Sequence, residues 1–334
     1  MEIRNPYLLF LGDAPDQLAA KTANGVRVWR PDWCIGQRRL PGCNADCAVP
    51  DLTIEEAAAA GARTMILGVA NRGGFMPDSW IAEMVQAVSL GMDIASGLHT
   101  RITAIPELVE AAKAHGRSLH EVRQPTREFS VANGTRRSGK RLLTVGTDVS
   151  VGKMFTTLAI ERELHARGLA ASFRATGQTG IFIAGSGVSI DAVIADFISG
   201  AVEWLAPENE PEHWDVIEGQ GSLFNVSYAG VTLGLIHGAQ PDVLVMCHEA
   251  GRPHMRGMPH FPVIDIPTCV AACLEAARLT NPAVRCAGVS INTSRLDEAE
   301  GRAFCARIAG ETGLVTVDPM RDGVAPLVDA VLRD

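Results

Sequence analysis

Lys153 closes a glycine-bracketed loop, Gly146-Thr147-Asp148-Val149-Ser150-Val151-Gly152, and the apolar run Leu142 to Val145 leads into it. A strand, a glycine loop and a helix that opens on a lysine point backbone N–H groups and one ammonium at a single spot. Helix N-termini carry unpaired donors and a partial positive charge, so a diphosphate fits there. Gly146, Thr147, Asp148, Ser150, Val151, Gly152, Lys153 and Met154 are therefore the expected cofactor-binding set. The loop is one residue longer than the common phosphate-binding form. Nucleotide-cleaving loops also place Ser or Thr after the lysine to hold magnesium, and here that residue is Met154. The loop reads as a holder of phosphates poorly equipped for metal-assisted cleavage, and no metal is expected. The bland alternative is a glycine-rich turn whose lysine is merely solvated.

Three other stretches leave apolar runs with reactive groups. Asp215-Val216-Ile217-Glu218-Gly219-Gln220-Gly221-Ser222 ends on a carboxylate and a glycine turn. In open parallel sheets ligands bind beyond the carboxyl ends of strands. Glu218 then serves as metal ligand, base or partner of Lys153, or simply faces water. His248 to His260 holds His248, Glu249, Arg252, His254, Arg256 and His260 in a loop stiffened by Pro253 and Pro259. Arginines bind carboxylates as bidentate forks, and histidines exchange protons near neutral pH. Arg252 and Arg256 are thus candidate substrate ligands, and His248, His254 and Glu218 candidate proton carriers. Arg174-Ala175-Thr176-Gly177-Gln178-Thr179-Gly180 adds Gln178 and Thr179 as hydrogen-bonding groups, with Gln220 a third. Asp191 binds ligand or caps a helix. Asp13, His99, His237 and the run Asn71-Arg72-Gly73-Gly74 are weaker candidates.

The elements that must carry these residues alternate. Strands are expected at Tyr7 to Leu11, Val26 to Trp29, Ala48-Val49 and Thr64 to Val69, with helices at Ile54 to Ala60, Asp78 to Leu90 and Pro106 to His115. Such alternation implies an α/β fold with a parallel sheet. The first turn has only Gly12, so no dinucleotide fingerprint is present. The polar, basic stretch 126–140 reads as a linker between a first domain, 1–125, and a second, 141–334. In the second, strands are expected at Ala171 to Ala175, Trp214 to Glu218, Val243 to Cys247, Ala287 to Asn292 and Leu314 to Val317. Helices fit Ile190 to Ser199, Thr268 to Leu279, Asp297 to Glu311 and Ala325 to Leu332.

With 334 residues, 47% hydrophobic and 20% charged, the chain is an ordinary globular protein of two-domain size. A net charge of −8 argues against a nucleic-acid surface. No apolar run is long enough to span a bilayer, and the opening residues lack the form of a signal peptide. A cytoplasmic homo-oligomer is expected. The 8 cysteines are scattered, without a CxxC pair, and read as free thiols.

The segments Gly146-Thr147-Asp148, Val151-Gly152-Lys153 and Glu218-Gly219-Gln220-Gly221 resemble the dethiobiotin-synthetase-like branch of P-loop proteins, over the second domain only. A resemblance over the whole chain rests on Ala175 to Gly180, Val216 to Ser222 and Arg252 to His260. On these residues the chain is similar to the family of D-glutamate N-acetyltransferases, long described as a domain of unknown function. That resemblance implies a Rossmann-like first domain, a P-loop-like second one, and acetyl transfer from acetyl-CoA to the amine of D-glutamate. On this reading the loop holds the coenzyme A diphosphate and Arg252 and Arg256 hold the two carboxylates. One of His248, His254 or Glu218 takes the ammonium proton, and N–H groups at Gly219 or Gly221 face the oxyanion. The rivals are an ATP- and magnesium-dependent ligase or kinase, with Asp148 and Glu218 as metal ligands, and a non-catalytic nucleotide-binding sensor.

Overall fold

The computed structural model describes residues 2–17, 19–69, 76–125 and 127–333. Asn71-Arg72-Gly73-Gly74 lies outside the described residues. The chain forms two compact units: Met1–Arg127 with Gly177–Ala192, and Glu128–Thr176 with Val193–Asp334. The segment carrying Gln178 and Thr179, expected in the second domain, therefore packs with the first.

The first unit is built on strands β1 (Tyr7–Gly12), β2 (Cys34–Arg39), β3 (Thr64–Leu67), β4 (Asp93–Ser96) and β5 (Leu119–Glu121), in the order β2-β1-β3-β4-β5. All its pairings are parallel. β1, β3 and β4 are buried throughout, as strands covered on both faces must be; the polar ends of β4 are bonded, Asp93 to Arg4 at 2.6 Å and the Ser96 hydroxyl to the Leu98 N–H at 3.2 Å. Thr53 caps the helix Ile54–Ala59 in a reciprocal box with Glu56. Gly116 ends Pro106–His115 in the left-handed conformation, φ +60°. Val26 to Trp29, expected as a strand, lies in the helix Lys21–Trp29. Its buried residues are Thr22, Ala23, Gly25, Val26 and Trp29, and the three-to-four spacing of Thr22, Val26 and Trp29 is one helix face rather than strand alternation. Against it packs the helix Gln178–Ala184.

The second unit carries β6 (Lys140–Gly146), β7 (Ala171–Arg174), β8 (Trp214–Ile217), β9 (Val243–Glu249), the hairpin β10 (His254–Met255) and β11 (Met258–Pro262), β12 (Arg285–Asn292) and β13 (Val315–Val317). Six of these form a parallel sheet in the order β13-β12-β9-β6-β8-β7. The chain runs from β6 out to β7, returns to β8 beside β6, then crosses to β9 on the other side. Strand order switches direction at β6, so the segments after β6, β8 and β9 meet there. The expected helix Ile190 to Ser199 is two short 3₁₀ turns followed by the helix Ile198–Leu205. Asp191 accepts from the Ser189 hydroxyl at 2.8 Å, a local bond that competes with regular helix entry.

Close backbone approach is needed where the strand ends meet. A β-carbon on Gly219 would lie 1.7 Å from the Thr144 carbonyl oxygen. Gly219→Ala is expected to cost about 1–3 kcal/mol, the range for overpacking, read as a fall in melting temperature. An unchanged melt would show that the ends of β6 and β8 separate freely.

Candidate active site

The phosphate loop is a pre-assembled structure. The Lys153 ammonium is not solvated: it donates to the carbonyls of Asp148, at 2.9 Å, and Gly221, at 2.8 Å. Burial pushes its pKa down to about 8, against the pull of Cys247, Asp148 and Glu218. Gly146 clears room for it, since a β-carbon there would sit 3.0 Å from Nζ. The helix Lys153–Ala166 starts from Gly152 at φ +103°, and no side chain caps its first turn. Ser150 holds φ +54°, a left-handed conformation costly for a side-chain-bearing residue. Uncapped amides and a buried cation together are a donor set suited to a diphosphate.

Asp148 shapes that loop. It is fully buried. One carboxylate oxygen accepts from Asn225 Nδ2 at 2.8 Å. The other accepts from Arg252 Nη1 at 2.9 Å and from the Arg256 backbone N–H at 2.7 Å. Arg252 Nη1 also donates to the Val149 carbonyl at 2.6 Å, and Nη2 to the Ser150 carbonyl at 3.1 Å and to Glu249. Glu249 is paired in turn with Arg295 at 2.6 Å. In a trans peptide the carbonyl and N–H point in opposite directions. Holding the Val149 and Ser150 carbonyls therefore turns the Ser150 and Val151 N–H groups away from Arg252.

The neighbouring strand ends supply two more groups. Glu218 is buried after β8; its carboxylate accepts from the Thr176 N–H at 2.9 Å and the Gln220 amide at 3.2 Å. His248, near the end of β9, stacks on Phe304 at 5.9 Å, with Nδ1 2.9 Å from the Thr147 hydroxyl. Burial, then the charges of Arg252 and Arg307, push the imidazole down to about 4, so it is neutral at neutral pH.

The expected residues thus separate into groups. Gly146 to Lys153, Glu218, Gln220, His248 and Arg252 meet around the end of β6. Arg252, expected on substrate, has both terminal nitrogens engaged by the loop and Glu249. The Gly219 N–H, expected at the oxyanion, donates to the Thr144 hydroxyl at 2.9 Å. Arg256, His254 and His260 are exposed on the β10–β11 hairpin, which is anchored by buried Met255. Gln178 and Thr179 sit in the first unit, where the Thr179 hydroxyl meets Thr22 at 3.4 Å. Asp13 there accepts from the Trp80 indole at 3.0 Å. Asn225, which no motif marks, and Phe304, a helix residue remote in sequence, belong to the site and escape sequence reasoning.

A phosphate loop at the switch point of a parallel sheet, joined to a second parallel α/β unit, places the chain among two-domain P-loop proteins. Residues 130–328 match the family described as "Domain of unknown function (DUF1611_C) P-loop domain", and residues 38–125 match its "DUF1611_N" Rossmann-like domain. A crystal structure of a DUF1611 family protein from Anabaena variabilis is 31% identical, with a TM-score of 0.87, covering 99% of this chain and 100% of that one. A D-glutamate N-acetyltransferase from Tritonibacter scottomollicae is 53% identical over 98% of this chain and 99% of its own length. Another D-glutamate N-acetyltransferase, from Pseudoalteromonas sp., is 48% identical over 98% and 99%. The chain belongs to the DUF1611 family. Among the described residues no helix is long and apolar enough to cross a membrane.

The lowered Lys153 pKa sets a pH dependence. The ammonium is charged below about 8 and loses its proton above it. Affinity for a diphosphate diester is expected to be flat below that value and to fall above it, because binding favours the protonated form. Calorimetry across this range checks it, and Lys153→Met should remove the step. A step that persists in Lys153→Met would assign it to another group.

Proposed function

We propose that this chain transfers an acetyl group from acetyl-CoA to the amine of D-glutamate. Its near full-length similarity to two N-acetyltransferases of that specificity carries the reading. The loop supports it independently. Coenzyme A presents a diphosphate with no bond to be cleaved there, so the cradle needs no hydroxyl ligand for magnesium, and Met154 occupies that position. Both Asp148 oxygens are already engaged by Asn225, Arg252 and the Arg256 N–H, an arrangement of little use to a nucleotide-bound metal.

The substrate ammonium must lose a proton before its nitrogen attacks the thioester carbonyl. The C–S bond then breaks, the new amide nitrogen loses a second proton, and the coenzyme leaves as a thiolate that takes up a proton to become the free thiol. His248 suits the first task. With its proton on Nδ1 donated to Thr147, Nε2 keeps its lone pair. Glu218, at the end of the adjacent strand, is the second candidate, and His254 on the hairpin the third. Arg252 is a positioning residue, because its donors are committed to the loop. Arg256, whose backbone is tied to Asp148 while its side chain is exposed, is assigned to a substrate carboxylate, and Gln220 lines the same edge.

Thiol release on mixing acetyl-CoA with D-glutamate tests the activity. Release is expected with D-glutamate, and a flat trace from folded protein would overturn the substrate assignment. Arg256→Ala is expected to raise the KM for D-glutamate by roughly 30-fold, the loss of a charged hydrogen bond of about 2 kcal/mol. The KM for acetyl-CoA should hardly change. The reverse pattern would move Arg256 to the cofactor side.

A further inference from the structure

At the other end of β6 from the phosphate loop, two guanidinium groups are buried without a carboxylate of their own. Arg137 is 9% exposed and Arg141 fully buried. Arg137 Nη2 donates to the carbonyls of Gly238, at 2.6 Å, and Ala239, at 3.3 Å, at the end of the helix Ala229–Ala239. Arg141 Nη1 donates to the carbonyls of Ser138, at 3.1 Å, and Gly139, at 3.2 Å, and its Nη2 to that of Arg137. These bonds leave Arg137 Nε and Nη1 and Arg141 Nε buried with no partner. Gln240, fully buried directly after Ala239, has neither end of its amide paired.

The nearby carboxylates are committed elsewhere; Glu203, the one that acts most on Arg137, accepts from the backbone N–H groups of Asn133 and Gly134, each at 3.0 Å. Asp242 is bound to the Arg136 side chain and, at 2.8 Å, to the Arg141 backbone N–H. Asp215 is paired with Arg174 at 2.7 Å and with Asn209 at 3.0 Å. Arginine does not escape burial by losing its proton at neutral pH. A buried, uncompensated charge and three unpaired donors are each costly. Burial, with the neighbouring Arg141 charge, pushes the Arg137 guanidinium down to about 10, against the pull of Glu203 and Asp215.

We propose that Arg137, Arg141 and Gln240 form a buried binding site for a small inorganic monoanion, chloride in a cellular or laboratory buffer. The anion accepts from the unpaired guanidinium N–H groups and the Gln240 amide and neutralises the excess charge. It fastens the segment before β6 to the carboxyl end of the helix Ala229–Ala239. Its place at the opposite end of the sheet makes it a stability site, separate from the phosphate loop.

Chloride titration of the full chain at fixed ionic strength, with gluconate as the balancing anion, provides one test. The melting temperature is expected to climb with the logarithm of chloride concentration once the site begins to fill. Arg137→Met should melt lower and lose that dependence. Anomalous diffraction from a bromide-soaked crystal of the unaltered chain provides a second, which does not rely on a variant that folds. A peak beside Arg137 Nε and Arg141 Nε is expected. Ordered water alone there, or melting indifferent to chloride, would overturn the proposal. A bromide peak without chloride-dependent melting would mark an adventitious ion only and would overturn it too.

Discussion

Asp148 is a carboxylate with no contact with solvent, and the phosphate loop takes its shape from what that carboxylate holds. Burial alone would raise its pKa. The Arg256 N–H, the Asn225 amide, the Val149 N–H and the Arg252 guanidinium together outweigh burial and hold it below the usual range. It remains ionised, so it can anchor Arg252. Arg252 in turn grips the carbonyls of Val149 and Ser150 and bridges to Glu249, the last residue of β9. One ion pair therefore ties the loop after β6 to the strand end beside it. Breaking a buried pair from one side leaves an uncompensated charge, which is why the arrangement is rigid.

That rigidity has a functional consequence. Lys153 spends its ammonium on two carbonyls rather than on a carboxylate, so it remains an excess positive charge in a dry place. An anion entering the loop gains attraction that water would otherwise screen. On the proposed reading, the chain's own lysine and a loop already ordered by arginine supply the cations that a bound diphosphate would need. In nucleotide-cleaving loops part of that work belongs to magnesium, held by a hydroxyl that Met154 lacks. Grip without cleavage suits a carrier whose diphosphate is a handle and whose reacting bond lies at the other end of the molecule.

Much of this was legible residue by residue. The strands feeding the site, β6, β8, β9 and β12, are apolar runs that a parallel sheet buries on both faces, and their ends fall within a residue or two of expectation. Thr53 and Asp297 announce their helices because capping is local chemistry. The helix Ala229–Ala239 announced nothing. Its glycines at 230, 234 and 238 lower helix propensity, yet two of them are required by packing. A β-carbon at Gly234 would meet Ile198 at 2.4 Å, and one at Gly238 the Ser199 carbonyl at 2.3 Å. Val26 to Trp29 failed for a related reason: a short apolar run fits either period until its neighbours choose.

The sequence by itself determined that a P-loop-type turn follows β6 and where along the chain it sits. Glycines bracketing a loop that ends in lysine mark such a turn, because backbone freedom and side-chain charge are local properties. Tertiary structure alone decided how the charges are shared. Arg252 and Arg256 look equivalent in sequence, four residues apart in one basic loop. Folding turns one guanidinium inward onto Asp148 and leaves the other exposed on a hairpin. Likewise, Gln178 and Thr179 leave β7 but pack with the first unit. Which donor meets which acceptor depends on distances across strands far apart in sequence, and no local pattern encodes those.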